Sequence, residues 1–341
     1  MKRGALVATI LGVILFGGAI IVADAYLFLN RPALAAGRTV FFDIPVGASF
    51  NEIAQRLARR GLLTRYAYWI GMARLQGKAQ SLKAGEYRLQ GPLTPQRLLD
   101  HLVTGTTRQF SLTLVEGWTF KQVMDALARH PRIEMTVNDP ADVMTALGEP
   151  GAHPEGWFFP DTYYFPRGTT DIEFLRRSHE SMRRQLAELW DKRDPGLPLK
   201  TPYEALILAS IVEKETATRA ERPIIAGVFI ARLDMDMRLQ TDPTIVYGLS
   251  DSYGGDIRSS DLRGDTPYNT YIHKGLTPTP IAMPSGASLA AVLHPATTDA
   301  LFFVAKPDGS HHFSATYDEH RAAVIEYQVG GDASRYGAGT K

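Results

Sequence analysis

The chain predicts an α+β protein in three parts: an N-terminal apolar helix long enough to span a membrane, a small region of repeated strand–helix units, and a larger mixed α/β domain around one central helix. Three observations carry this reading. An uncharged run follows Lys2 and Arg3, two stretches seventy residues apart align with one another, and the almost wholly apolar segment Ala205 to Val212 ends abruptly in Glu213, Lys214 and Glu215.

Length and composition set the bounds. At 341 residues and 45% hydrophobic content, the chain can bury the core of two domains or of one large elaborated domain. Thirty-seven basic residues against thirty-six acidic leave a formal charge of +1, which gives no support to a nucleic-acid partner or to any polyanion held by bulk charge. The absence of cysteine excludes disulfides, thiolate nucleophiles and cysteine metal sites. No GxxxxGK[ST], GxSxG or SxxK sequence occurs, so P-loop and serine-nucleophile chemistries lack their motifs.

The first element is Gly4 to Ala23, twenty residues without a charge, which matches the hydrocarbon thickness of a bilayer. Lys2 and Arg3 then stay in the cytoplasm, and residues 1–28 form a cytoplasmic tip and anchor. The alternative is a cleaved signal peptide, with small-residue sites at Ala23-Asp24-Ala25 and Ala33-Leu34-Ala35. Either way the remainder of the chain lies outside the cytoplasm, in a compartment without ATP.

The second element is the repeat. Ile44 to Leu63 (IPVGASFNEIAQRLARRGLL) aligns with Leu114 to Ile133 (LVEGWTFKQVMDALARHPRI) around Gly47 and Gly117, pairing Ile53 with Val123 and Leu57 with Leu127. Each reads as strand, glycine turn and capped helix, with Ser49-x-x-Glu52 and Thr119-x-x-Gln122 as capping boxes. A weaker unit, Gly85 to Gly105, offers Thr94 as cap and Pro95 at the first helical position. Residues 37–110 are therefore a small module, either plain scaffold or a carbohydrate-binding unit; its first stretch resembles the LysM-like segments of some cell-wall enzymes.

The third element, 111–329, changes character at Glu155 to Gly168 (EGWFFPDTYYFPRG). Aromatic rings beside carboxylates suit a sugar cleft, in which a pyranose face stacks on a ring while its hydroxyls find polar partners, and a folded apolar hairpin would look the same. Asp171 to Trp190 follows as an amphipathic helix with Ile172, Leu175, Met182, Leu186 and Leu189 on one face. The central helix starts at Thr201-Pro202-Tyr203-Glu204, a capping box with proline at its first position. At 100° per residue Glu215 continues the stripe of Leu208, Ile211 and Val212, whereas Glu213 falls nearly opposite, beside Leu206 and Ala209. A carboxyl against apolar surface holds its proton and can serve as a general acid near neutral pH. The competing reading is a helix end emerging into water with all three charged residues solvated.

Taken together, LASIVEKET, RLQTDPTIVYGL (Arg238 to Leu249), PYNTYIHKGLTPTPIAMPS (Pro267 to Ser285), HPA (His294 to Ala296), VEGWTF and EGWFFPDTYYF resemble the endolytic murein transglycosylase family, MltG or YceG-like, in the same order along the chain. That resemblance implies a catalytic acid at the second glutamate of Glu-Lys-Glu-Thr, here Glu215, followed by Thr216. It implies peptidoglycan glycan strands as substrate, an inner-membrane position facing the periplasm, an association with peptidoglycan synthases, and no cofactor. Substrate contacts are expected from Thr216, from Gln240, Thr241 and Asp242 in a proline-bounded turn, from Tyr268 and Asn269, and from Glu155 and Trp157 in the aromatic stretch. Turn chemistry alone would also explain the Asp-Pro and Asn residues.

The C-terminus reads as structure. Ala300 to Ala305 and His311 to Thr316 flank a Pro-Asp-Gly turn and form a hairpin, Thr316-x-x-Glu319 caps a last helix, and 330–341 is a loose Gly-rich tail. Two rival functions stand beside the enzyme: a zinc hydrolase built on His294, His311, His312 and His320, whose spacing fits no compact ligand motif, and a non-catalytic glycan-binding or scaffold protein of the envelope.

Overall fold

The computed structural model describes residues 2–333 apart from positions 46 and 138. Most of the expected tail, from position 334 onward, lies outside the described residues. The chain divides into two compact units, Met1–Ser111 with Tyr164–Thr169, and Leu112–Tyr163 with Thr170–Lys341.

The first unit opens with α1 (Lys2–Asn30), then β1 (Thr39–Ile44), α2 (Phe50–Arg59), α3 (Tyr66–Leu75), β2 (Gly85–Gln90) and α4 (Pro95–Thr104). Strands β1 and β2 pair antiparallel, Thr39 opposite Gln90 and Ile44 opposite Gly85, with the two intervening helices between them in sequence. Leu57, Trp69, Tyr87, Leu98 and Leu99 are fully buried in its core, and the Trp69 indole N–H donates to Pro95 O at 2.9 Å, so the one polar atom of that side chain is satisfied. Residues Thr9–Asn30 of α1 are long and apolar enough to cross a membrane. The helix runs past the expected anchor boundary at 28, and its last turns serve the module: Phe28 is buried in the core, Asp24 accepts from the Tyr68 hydroxyl at 3.0 Å, and Asp24 also pairs with Arg65.

Strands β3 (Phe110–Thr113), β5 (Thr162–Phe165) and β6 (Thr169–Thr170) each fall across the division, and the second unit begins with α5 (Phe120–Arg129), β4 (Ile133–Glu134), α6 (Val143–Leu147) and α7 (Asp171–Asp191). Then come α8 (Pro202–Glu215), α9 (Arg222–Asp234), α10 (Asp242–Leu249), α11 (Ser259–Arg263), α12 (Gly286–Leu293), β7 (Phe302–Ala305), β8 (His311–Ser314) and α13 (Tyr317–Tyr327). Helix α8 packs against α7, α9, α10 and α12, and every residue from Ala205 to Val212 is buried. A helix apolar all round has nowhere else to go.

The sequence repeat reappears as a conformational one. Gly47 and Gly117 take the same left-handed backbone, φ 75° and 76°, and the aligned residues Ile53, Leu57, Val123 and Leu127 are all buried. The caps differ in detail. Thr119 and Gln122 form the full reciprocal box, as do Thr316 and Glu319. At α2 and α8 only half of it forms: Ser49 and Thr201 accept the expected amides, but Glu52 turns to Arg56 at 2.9 Å and Glu204 accepts the Lys200 amide at 2.5 Å. The expected turn at Leu239 to Thr244 is corrected as well. Asp242 and Pro243 open helix α10, because proline at the first turn lacks only an N–H that would be unsatisfied there.

Candidate active site

Glu215 is the last residue of α8. The chain leaves the helix at Thr216, whose backbone is extended (φ −139°, ψ 134°), so the Glu215 side chain emerges where the helix stops. It borders a cavity of about 610 Å³ whose polar lining includes Arg232, Gln240, Asp242, Tyr271 and His311. The Thr241 hydroxyl donates to Glu215 Oε2 at 2.5 Å. Burial raises the Glu215 pKa above the ordinary carboxylate range; the Thr241 bond opposes this, nearby Asp242 adds to it, and His311 and Arg232 pull weakly downward. The proton is thus held to higher pH than on an exposed carboxyl, the direction that an acid catalyst requires.

The surrounding charges are fixed in place. Arg232, on α9, is buried; its Nε donates to Leu301 O at 2.7 Å and its Nη1 to Leu239 O at 2.5 Å, with the guanidinium 5.3 Å above the Phe302 ring. Burial and the adjoining Asp242 push the Tyr271 phenol pKa up, and the phenol donates to Asp242 Oδ1 at 2.6 Å. Gln240 sits at φ 48°, a left-handed conformation that non-glycine residues seldom adopt and that is concentrated at functional sites.

Glu213, two residues earlier, has a different role. Its Oε2 accepts the Ser285 amide at 2.9 Å, the Ser285 hydroxyl at 2.6 Å and the Ser288 hydroxyl at 2.7 Å, while Arg222 Nη2 lies 2.9 Å from Oε1. Both side chains of the ion pair are buried. This carboxylate, with its side chain buried and both oxygens bonded to protein, is a fastening for the start of α12. Lys214 is spoken for too, its Nζ donating to Gly117 O at 3.3 Å. The competing reading of a helix end with all three charged residues solvated is therefore corrected: the Glu213 side chain is buried on the side of α8 that carries Leu206 and Ala209.

Other expected site residues lie away from the cavity lining. Asn269 is buried, its amide donating to Asp261 O, Leu262 O and Gly264 O and accepting from the Tyr271 amide, so it shapes its own loop. Tyr268 shares a hydrogen bond with Thr279, Trp157 stacks on Tyr203 with ring centroids 5.8 Å apart, and buried Thr216 reaches Glu221 at 3.4 Å. Glu155 is buried, accepting the Phe120 amide at 2.9 Å and the Tyr247 hydroxyl at 3.0 Å.

Burial raises the Glu155 pKa to about 7 against those hydrogen bonds. Between the ordinary carboxylate value and about 7, the folded state keeps a proton that the unfolded state has lost, so stability falls as pH rises through that window. The expected loss is on the order of 3 kcal/mol for the parent and near zero for Glu155→Gln, read from denaturant unfolding at pH 5 and pH 8. Parallel pH profiles would show that Glu155 ionises normally.

The C-terminal hairpin and α13, expected to be structural, bring Phe302, Phe303, Val304, His311, Tyr317 and His320 to the cavity wall. His311 and His312 point to opposite faces of β8 as alternation requires, His311 toward the cavity and Glu221, His312 toward Tyr327. No local signal marks these residues, whose cavity partners lie on the earlier stretch from Glu215 to Tyr271.

The sequence profile of the YceG-like family matches residues 42–326. The chain belongs to the YceG-like family. A Bacillus subtilis relative named endolytic murein transglycosylase is 30% identical over 90% of this chain and 91% of its own length. A Streptococcus pneumoniae relative of the same name is 29% identical over 84% of this chain, which spans 58% of that longer protein. Among solved structures, a yceG-like protein from Listeria monocytogenes aligns with a TM-score of 0.53 at 27% identity, covering 84% of this chain and 99% of the other. Glu215, Gln240, Asp242 and the hairpin histidine His311 all fall inside the span matched by the family.

Proposed function

We propose that this YceG-like chain is an endolytic lytic transglycosylase of peptidoglycan, cleaving the β-1,4 bond between N-acetylmuramic acid and N-acetylglucosamine within glycan strands. The observation that carries this reading is Glu215: one carboxyl held toward its neutral form at the end of a buried helix, opening on a polar cavity, in a chain whose relatives bear that name. As a neutral acid it protonates the bridging oxygen; as the resulting carboxylate it accepts the proton of the muramic C6 hydroxyl, which attacks C1 and closes a 1,6-anhydro ring. The nucleophile belongs to the substrate, so the second carboxylate of an ordinary glycosidase is not needed.

Gln240, Asp242, Tyr271 and Arg232 are the substrate-facing groups in this reading, and Thr241 steadies Glu215. Thr216, Glu155, Trp157, Tyr268 and Asn269 shape the walls rather than touch the glycan. The apolar part of α1 supports a single-pass inner-membrane anchor with the rest of the chain in the periplasm. The self-contained core around β1 and β2 supports a LysM-like glycan-binding module over 37–110. Cutting strands as they are made would terminate their elongation and place the chain beside peptidoglycan synthases.

The test is mass spectrometry of the fragments that the detergent-solubilised full chain releases from intact sacculi. Anhydro-muramic ends are expected. Reducing ends would make water the nucleophile and the chain a hydrolase, and unchanged sacculi would leave a glycan-binding scaffold.

A further inference from the structure

A second group in the cavity is built as an acid–base catalyst. The His311 ring is held on one edge by Glu221: Oε2 lies 2.7 Å from Nδ1, and Oε1 accepts the His311 backbone amide at 2.8 Å. Glu221 is itself held by Thr216, whose hydroxyl reaches Oε2 at 3.4 Å and accepts the Thr218 amide at 3.0 Å. The ring stands edge-on to Phe303 at 5.5 Å and tilted against Phe313 at 6.3 Å, so its plane is fixed. Glu221, an ionised carboxylate that can only accept, fixes the proton on Nδ1, which donates to it. That leaves Nε2 as the acceptor nitrogen, and no described residue bonds to it. Burial works against the Glu221 charge, but the His311 ring and amide outweigh it and keep its pKa below the usual range, so the orienting partner is ionised. His311 and Glu215 line the same cavity.

We infer that His311, oriented by Glu221, is the base that removes the C6 hydroxyl proton, so that acid and base roles are divided between Glu215 and His311. The inference rests on the transglycosylase reading above and replaces only its assignment of the base. The C6–O–H proton passes to Nε2, and the freed oxygen pair forms the new bond to C1. The bond from C1 to the bridging oxygen breaks, and that oxygen takes the Glu215 proton. The site is left with a Glu215 carboxylate and a His311 imidazolium, and return of one proton from the second to the first restores it. No water or other reactant enters. The arrangement of a histidine clamped by a carboxylate with its far nitrogen facing the substrate follows the logic of a hydrolase triad, here turned on a hydroxyl of the substrate itself.

A muramyl oligosaccharide carrying fluoride or 4-nitrophenolate at C1 distinguishes the two schemes, because its leaving group departs without an acid. With the base on His311, full-length Glu215→Gln should lose about a thousandfold on sacculi, yet stay within about tenfold of the parent on the activated substrate and still give anhydro product. His311→Gln should lose about a hundredfold or more on both. Its melting temperature and that of Glu221→Gln check that the hairpin is intact. Failure of Glu215→Gln to recover on the activated substrate, or full activity of a folded His311→Gln, would overturn the divided scheme. Absence of anhydro product from the parent itself would instead remove the transglycosylase reading beneath it.

Discussion

Glu215→Gln is expected to lower the release of anhydro-muramic ends from sacculi by about a thousandfold, with the fold intact and stability equal to or above the parent's. The first half follows from removing the proton that, in the proposed mechanism, Glu215 delivers to the bridging oxygen. The second half follows from burial. A group whose folded pKa is raised binds its proton more tightly when folded, so the unfolded state sheds it first as pH rises, and stability declines from the ordinary carboxylate range up to the raised value. Glutamine keeps the size and accepts the Thr241 bond but cannot ionise, so the variant should lack that decline. Paired measurements of product release and of denaturant unfolding at pH 5 and pH 8 check both halves. A variant that still releases anhydro ends at the parental rate would move the acid elsewhere.

Glu213→Gln is expected to do the reverse. Its carboxylate meets Arg222, both hydroxyls and the amide at the start of α12, and Arg222 and Glu213 are almost fully buried, their side chains 5% and 4% exposed. Breaking such a pair leaves a buried guanidinium without its counter-charge, which costs about 3–5 kcal/mol. Glu116, 3.8 Å from Arg222, moderates the loss without replacing the bonds to Ser285 and Ser288. The unfolding transition of the second unit should shift strongly, while whatever fraction remains folded keeps its chemistry. Activity lost in a variant as stable as the parent would exchange the roles of the two glutamates.

That contrast also shows how far the sequence could be read. Helix geometry placed Glu215 beside Leu208, Ile211 and Val212, and the structure puts it at the end of α8, desolvated beside Thr241 and bordering the cavity. The same wheel set Glu213 on the other side, where Leu206 and Ala209 are buried as well. A helix enclosed on all sides has no solvent face for the wheel to find. What decides the fate of Glu213 is Arg222 and the two serines more than seventy residues on, and no local pattern announces them.

Caps and turns were legible because their partners lie three residues away: Thr119 with Gln122, Thr316 with Glu319, Thr94 with its helix. The half-formed boxes at Ser49 and Thr201 show the limit, since a glutamate at the right spacing took a different neighbour within four residues. Asn269 illustrates the opposite error. An amide in an aromatic stretch reads as a ligand for an N-acetyl group, yet all its bonding capacity is consumed by its own loop. His311, Phe302 and His320 reach the cavity only because the terminal hairpin folds back, and a periodicity argument could assign them no more than a strand and a helix.

Helix α1 does not stop at Ala23, where its uncharged run ends. Asp24 to Asn30 continue it by roughly 10 Å, one rigid rod with the segment that the bilayer would enclose, and Phe28 with the Asp24, Arg65 and Tyr68 contacts clamps that rod into the β1–β2 module. No swivel separates the two. A bilayer thinner than the apolar run makes such a helix lean, and the module must lean with it. Membrane thickness would then set the tilt of the module, a mechanical input that a flexible tether of the same length would absorb.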